Sequence, residues 1–255
     1  MSRPQRKIFL LVLLIGLVSC SPPPTATIPP SPQPIKVAIS PILEPARKAL
    51  HSCAVSLPGM SLILEVIPQT SQNFNRSDLI LWWGDKPEEV DFAYQIAEEK
   101  LVVIANPDNQ DNGLSASELQ TTFSGKIENW SEISTFEEAV TVWIYPEESY
   151  SSEIFKSAVL GEHGYSRLAN IAPSPGPMLE EISADPGAIG FVPGAWLSAE
   201  VSQVDIEPDI QLALNKPVLA LTKSEPLAGV KELLACLQTG AGKEELTNEY
   251  SPISK

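Results

Sequence analysis

From Lys36 onward, short apolar runs alternate with stretches of helical periodicity. This alternation constrains the fold more than any other feature, because it is the signature of an α/β chain. Lys36–Ile39 reads as a strand. Pro45 opens a helix running to about Leu57, with Ala46, Ala49, Leu50 and Cys53 on one face, and Pro58-Gly59 stops it. Leu62–Ile67 and Asp78–Trp83 are nearly continuous apolar runs, as expected for strands covered on both faces. Leu101–Ala105 is a fourth strand and ends at Asn106-Pro107. Ser115, with Glu118 three residues later, forms a capping box ahead of Leu119, Thr122 and Phe123. Thr141–Tyr145 is then a strand, Ser151–Leu160 and Pro177–Ala184 are helices, and Ala188–Val192 and Pro217–Thr222 are strands. A final helix runs from about Leu227 to Gln238.

The N-terminus is organised differently. Arg3, Arg6 and Lys7 precede the apolar run Ile8–Val18, which has the length of a signal-peptide core and is too short to span a bilayer. It closes on Leu17-Val18-Ser19-Cys20, which resembles a bacterial lipobox. That reading makes residues 1–20 a lipoprotein signal peptide and Cys20 the acylated first residue of the mature chain. Two acyl chains give stable anchoring where one is marginal. The other reading is a short membrane helix in which Cys20 is incidental. Residues 21–35 form a proline-rich tether, extended over about 45 Å at roughly 3 Å per residue.

Length and charge bound the rest. The 255 residues leave room for one large domain or two lobes, enough to bury a core without staples. Of 17 Lys and Arg, three lie in residues 1–20, so the remainder sets 14 cations against 32 acids, a net charge of −18. Such a surface argues against nucleic acid as a partner. It also requires any anion site to be built from local dipoles and hydroxyls. With Cys20 assigned to lipid, Cys53 and Cys236 are left as a pair that oxidises outside the cytosol or stays as two buried thiols.

Nothing in the chain selects an enzyme. His51 sits beside Cys53 in a helical pattern, and His163 lies in the turn Gly161-Glu162-His163-Gly164. There is no His-Glu-x-x-His run, no Cys-x-x-Cys, no Gly-x-Ser-x-Gly elbow and no glycine-rich phosphate loop. Glu88-Glu89, Glu98-Glu99, Glu137-Glu138, Glu147-Glu148, Glu180-Glu181 and Glu244-Glu245 read as solvated faces. No catalytic residue, metal or cofactor is expected.

Two stretches carry a family resemblance. The first runs from Leu101–Asn109 through Leu114–Leu119 to Phe123-Ser-Gly-Lys-Ile-Glu-Asn-Trp130; the second is Met178–Val192, with Asp185-Pro-Gly-Ala-Ile-Gly-Phe191. Together they resemble the phosphate-binding proteins of ABC transporters, within the type II periplasmic-binding-protein superfamily, over roughly residues 36–255. Phe123, Ile127 and Trp130 space as core anchors around the Ser124-Gly125 turn, so these motifs identify the fold and do not touch ligand. The implied architecture is α/β and two-lobed, each lobe a mixed sheet flanked by helices, joined by a two-strand hinge. Residues 36–105 and 200–255 would form lobe 1 and residues 106–199 lobe 2.

The resemblance also places the ligand site, in loops at strand ends. Where the family has an arginine, an acid and then Ser-Gly-Thr opening a helix, this chain reads Tyr145-Pro146-Glu147-Glu148-Ser149-Tyr150-Ser151. Ser149 and Ser151 keep hydroxyls at a helix start. The arginine has become Tyr145 and the glycine Tyr150, which removes a contact worth about 1.5–3 kcal/mol. In the first lobe the corresponding positions are Ser40, Thr70 and Asp85, the last equally readable as a turn residue. Trp82, Trp83, Tyr145 and Tyr150 either line a more aromatic cleft or pack in the core.

The implied function is that of a monomeric, lipid-anchored, extracytoplasmic solute-binding protein. It would bind a small oxyanion or small organic ligand and deliver it to an ABC permease in the membrane. The rival is an accessory lipoprotein that keeps the fold without binding a solute.

Overall fold

The computed structural model describes residues 33–68, 76–109 and 113–253. Cys20, the proline-rich tether and Thr70 lie outside the described residues. Among those described, nine strands form one curled sheet. In chain order the strands are β1 (Ile35–Ile39), β2 (Leu62–Val66), β3 (Leu79–Trp83), β4 (Phe92–Ala105), β5 (Gly113–Leu114), β6 (Thr141–Ile144), β7 (Asn170–Ile171), β8 (Ala188–Pro193), β9 (Ser202–Gln203), β10 (Asp205–Ile206) and β11 (Asn215–Thr222). The sheet order is β2-β1-β3-β11-β4-β8-β6-β7, with β9 also on β4, while β10 and β5 pair separately.

The register explains the shape. β2, β1 and β3 run parallel, as do β8, β6 and β7. Between these two parallel sets lies the antiparallel pair β11 and β4. Strand β4 pairs with β11 through Lys100 and with β8 from Leu101, so one continuous strand carries the chain from one half of the sheet to the other.

Among the described residues, seven α-helices flank the sheet. They are α1 (Arg47–Ser56), α2 (Ala116–Phe123), α3 (Tyr150–Phe155, continued as a π-helical turn to Leu160), α4 (Pro175–Ala184), α5 (Pro208–Ala213), α6 (Ala228–Thr239) and α7 (Ala241–Glu249). β3 is covered on both sides as its sequence requires: Leu79, Leu81 and Trp83 enter the main core, and Ile80 joins a smaller cluster with Ala38, Val90, Leu219 and Leu221. The capping box at Ser115 forms as expected, and Phe123, Ile127 and Trp130 are core residues. Trp130 Nε1 donates to the Gly187 carbonyl at 2.9 Å. Cys53 and Cys236 are disulfide-bonded, joining α1 to α6, with Gly242 of α7 packed directly on the Cys53 sulfur.

Several sequence expectations are corrected. β2 is an edge strand rather than a doubly covered one, with Ile63 48% and Val66 43% exposed. β4 begins at Phe92, nine residues before the apolar run that announced it. Pro45 lies inside a 3-10 turn spanning Pro41–Ala46, and α1 starts at Arg47. α4 starts at Pro175, and α7 follows α6 after a break at Gly240.

The Glu98-Glu99 pair is not solvated. Glu98 exchanges backbone hydrogen bonds with Ser251, and its carboxylate accepts from Asn215 Nδ2 at 2.8 Å. Glu99 is only 2% exposed, and its two carboxyl oxygens accept the Lys100 N–H at 2.8 Å and the Ala195 N–H at 3.2 Å. One carboxyl group thus ties β4 to the segment leaving β8, at the place where the chain passes between halves. Burial pushes its pKa up to about 8 against the opposing pull of those N–H donors and the Lys100 charge.

Candidate functional site

In open α/β sheets, ligands bind beyond the carboxyl ends of the strands. Here the carboxyl ends of parallel strands from both halves converge on one cleft of about 290 Å³. Ser40, Pro41 and Ile42 follow β1, and Pro68 follows β2. Tyr145, Pro146, Glu148, Ser149, Tyr150 and Ser151 follow β6, while Pro173, Ser174 and Pro175 follow β7.

Three of these residues carry buried hydroxyls that are unpaired among the described residues. Ser40 and Tyr145 are each 3% exposed and Ser151 is 0% exposed, yet no described group bonds the hydroxyl of any of the three. Buried polar groups are ordinarily paired, so three orphans around one cavity call for an explanation. Burial holds the Tyr145 phenol well above its ordinary pKa, so it stays neutral and can both donate and accept.

Tyr145 and the start of α3, which carries Ser151, are packed from behind. Tyr145 packs edge-on against Phe191 at 5.3 Å, Phe191 stacks on Phe155 at 4.1 Å, and Phe123 lies 4.6 Å from Phe155. Ser152 Oγ donates to the Tyr145 carbonyl at 2.9 Å, and the Tyr165 hydroxyl donates to the Ser152 carbonyl at 2.8 Å. Ser149 caps α3 by accepting the Ser152 N–H at 3.3 Å. The start of α3 is therefore fixed from behind by an aromatic cluster and from within by its cap.

The cleft also gathers three helix starts. Ser40 precedes the 3-10 turn, Ser149 precedes α3 and Ser174 precedes α4, all in extended backbone. First-turn N–H groups have no intrahelical partner and carry the positive end of the helix dipole. Pro41 and Pro175 remove one such donor each, leaving Ile42 and Gly176 next in line. Among the described residues lining the cleft there is no Lys, Arg or His, and Glu148 at its exposed rim is the one that carries charge. The site can donate and accept hydrogen bonds through hydroxyls, and donate through backbone N–H groups, without a countercharge.

Five of the expected site residues, Ser40, Tyr145, Ser149, Tyr150 and Ser151, come together in this lining. Asp85 does not line the cleft: its side chain is exposed, its carbonyl accepts from Trp82 Nε1, and its N–H donates to the Tyr150 hydroxyl. Trp83 is fully buried in the core. Ser174 was missed in the sequence, although Ser-Pro ahead of a helical pattern is a helix-start signal.

The model of the PBP superfamily domain matches residues 90–251, more than half of the chain. The phosphate-binding protein PstS of Bacillus subtilis (strain 168) is 29% identical over 174 residues, which take in 63% of this chain and 57% of that protein. The match thus spans little more than half of that relative's length. A phosphate-bound protein from Clostridium perfringens, described as a phosphate ABC transporter substrate-binding protein, superposes with a TM-score of 0.76 at 17% identity, covering 88% of this chain and all of that one. An ABC-type phosphate transport receptor from Vibrio cholerae gives 0.67 at 16% identity, covering 86% of this chain and all of the other. At these identities the structural likeness establishes the fold, that of the type II periplasmic-binding proteins.

Proposed function

The chain belongs to the PBP superfamily, and on that premise we propose that it is the membrane-anchored, extracytoplasmic solute-binding protein of an ABC-type importer. It takes a small oxyanion or small organic solute into the cleft between its halves and delivers it, as a monomer, to a membrane permease. The observation that carries this reading is that three residues lining one cavity of about 290 Å³, Ser40, Tyr145 and Ser151, each carry a buried hydroxyl without a partner among the described residues. A solute that bonds all three bridges strands from both halves, and closure is then a shift of population towards the bridged arrangement.

The lining sets the kind of solute. Hydroxyls and N–H groups without a cation suit a ligand of low charge, since the −18 net charge and Glu148 oppose a multiply charged anion. The Cys53–Cys236 bond supports an oxidising, extracytoplasmic compartment. Anchoring rests on the Cys20 motif in the sequence. No helix among the described residues is long and apolar enough to cross a membrane.

A thermal-shift screen with phosphate, other oxyanions and small neutral organics tests the proposal. A true solute at 100 times its Kd stabilises by about 2.7 kcal/mol. Ser151→Ala and Tyr145→Phe are each expected to weaken that solute roughly two- to tenfold, the effect of losing one neutral hydrogen bond. A screen in which nothing stabilises the protein favours the accessory lipoprotein instead.

A further inference from the structure

Tyr150 is the first residue of α3, on the β8-β6-β7 side of the sheet, yet its ring lies against the turn that follows β3 on the other side. It meets Trp83 edge-on, with ring centroids 5.5 Å apart and planes at 88°, and it sits 6.4 Å from Trp82. Its hydroxyl accepts the Asp85 N–H at 3.2 Å. Gly84, at φ +115°, leaves the notch it enters: a Cβ there would occupy the place of the Tyr150 hydroxyl and ring. The ring pairs among Phe123, Tyr145, Phe155, Tyr165 and Phe191 gather behind β8 and α3 instead.

We propose that Tyr150 is a cross-cleft latch, seated in the Gly84 notch against Trp83, that holds the two halves of the sheet together and limits the cleft to small solutes. Gly84 serves the latch twice. Its positive φ turns the chain after β3, and its lack of a side chain admits the ring. The edge-on aromatic pair and the hydrogen bond together favour the latched over the unlatched arrangement roughly ten- to hundredfold. The latch acts whatever solute the cleft holds, so it stands or falls apart from the importer reading.

Hydrogen exchange followed by mass spectrometry on the full-length protein tests this without any ligand. Tyr150→Phe removes only the acceptor, and faster exchange is expected at Asp85 alone. Tyr150→Ala removes the latch, and exchange is expected to rise tenfold or more across residues 40–43, 84–86 and 149–152 while β4 and β11 stay protected. Gly84→Ala, with Tyr150 intact, should reproduce that pattern because its methyl evicts the ring. Unchanged exchange at these segments in Tyr150→Ala would overturn the latch, as would a rise that extends equally through β4 and β11.

Discussion

Replacing Cys53 and Cys236 together with serine is expected to lower the unfolding free energy by about 2–5 kcal/mol. The bond joins residues 183 apart in sequence, so cutting it frees almost the whole folded body in the denatured state. In the chain-entropy description, loops of this size give values near the top of that range. The native contribution is local: the bond pins α1 to α6, and Gly242 brings α7 down onto the same sulfur. Urea denaturation of the wild type, with and without reductant, and of the double-serine variant reads the effect. The reduced wild type should unfold at the same, lower midpoint as the variant, with a steeper denaturant dependence because its unfolded chain is more expanded. A midpoint indifferent to reductant would show that the bond does not constrain the unfolded chain.

The second large effect is a pH dependence opposite to that of most carboxylates. Glu99 has its pKa raised by burial to about 8 in the folded protein, above the usual glutamate range of the unfolded chain. The folded state therefore binds this proton more tightly. The stabilisation is fully present below the unfolded value and is lost as the pH rises through about 8. Over those three to four pH units the loss is on the order of 4 kcal/mol. Glu118 and Glu132 act in the other direction, since the N–H and hydroxyl groups they accept from hold their pKa values down. Their contribution is present at neutral pH and fades only as the pH falls through and below the carboxylate range, and solvent screens it at exposed Glu132 and half-buried Glu118. The melting temperature of the wild type should accordingly peak in the mildly acidic range, at about pH 5. Glu99→Gln should flatten the profile between there and about pH 8. At the acid end the variant should also be less stable than wild type, because its amide turns one of the two acceptors at Lys100 and Ala195 into a donor.

Glu99 owes its setting to parts of the chain far from it in sequence. Glu98-Glu99 looks like any other acidic pair in the chain, and its burial follows from Gly194-Ala195 and Tyr250-Ser251 folding over β4. None of these neighbours is near in sequence. Local signals carried further elsewhere. The apolar run at β3, the capping box at Ser115 and the Phe123–Trp130 anchors each specify their own structure, and each holds. β2 shows the limit of a composition argument: Leu-Ile-Leu-Glu-Val has the residues of an inner strand, yet among the described residues it pairs with β1 alone and ends the sheet. The first nine residues of β4 alternate too loosely to declare a strand, and their pairing with β11 supplies what periodicity does not. At the cleft, Ser40, Ser149 and Ser151 were legible as hydroxyls at strand ends or helix starts. The role of Tyr150 was not, because it depends on Gly84, 66 positions earlier in the chain.

Solute capture in the cleft requires a bridge to the hydroxyls of Ser40, Tyr145 and Ser151. The most direct measurement is a crystal structure of the protein with the compound that most raises its melting temperature. The predicted result is solute density within hydrogen-bonding distance of all three oxygens, between the end of β1 and the start of α3. Density for the compound elsewhere on the surface, with only water against those three hydroxyls, would contradict it.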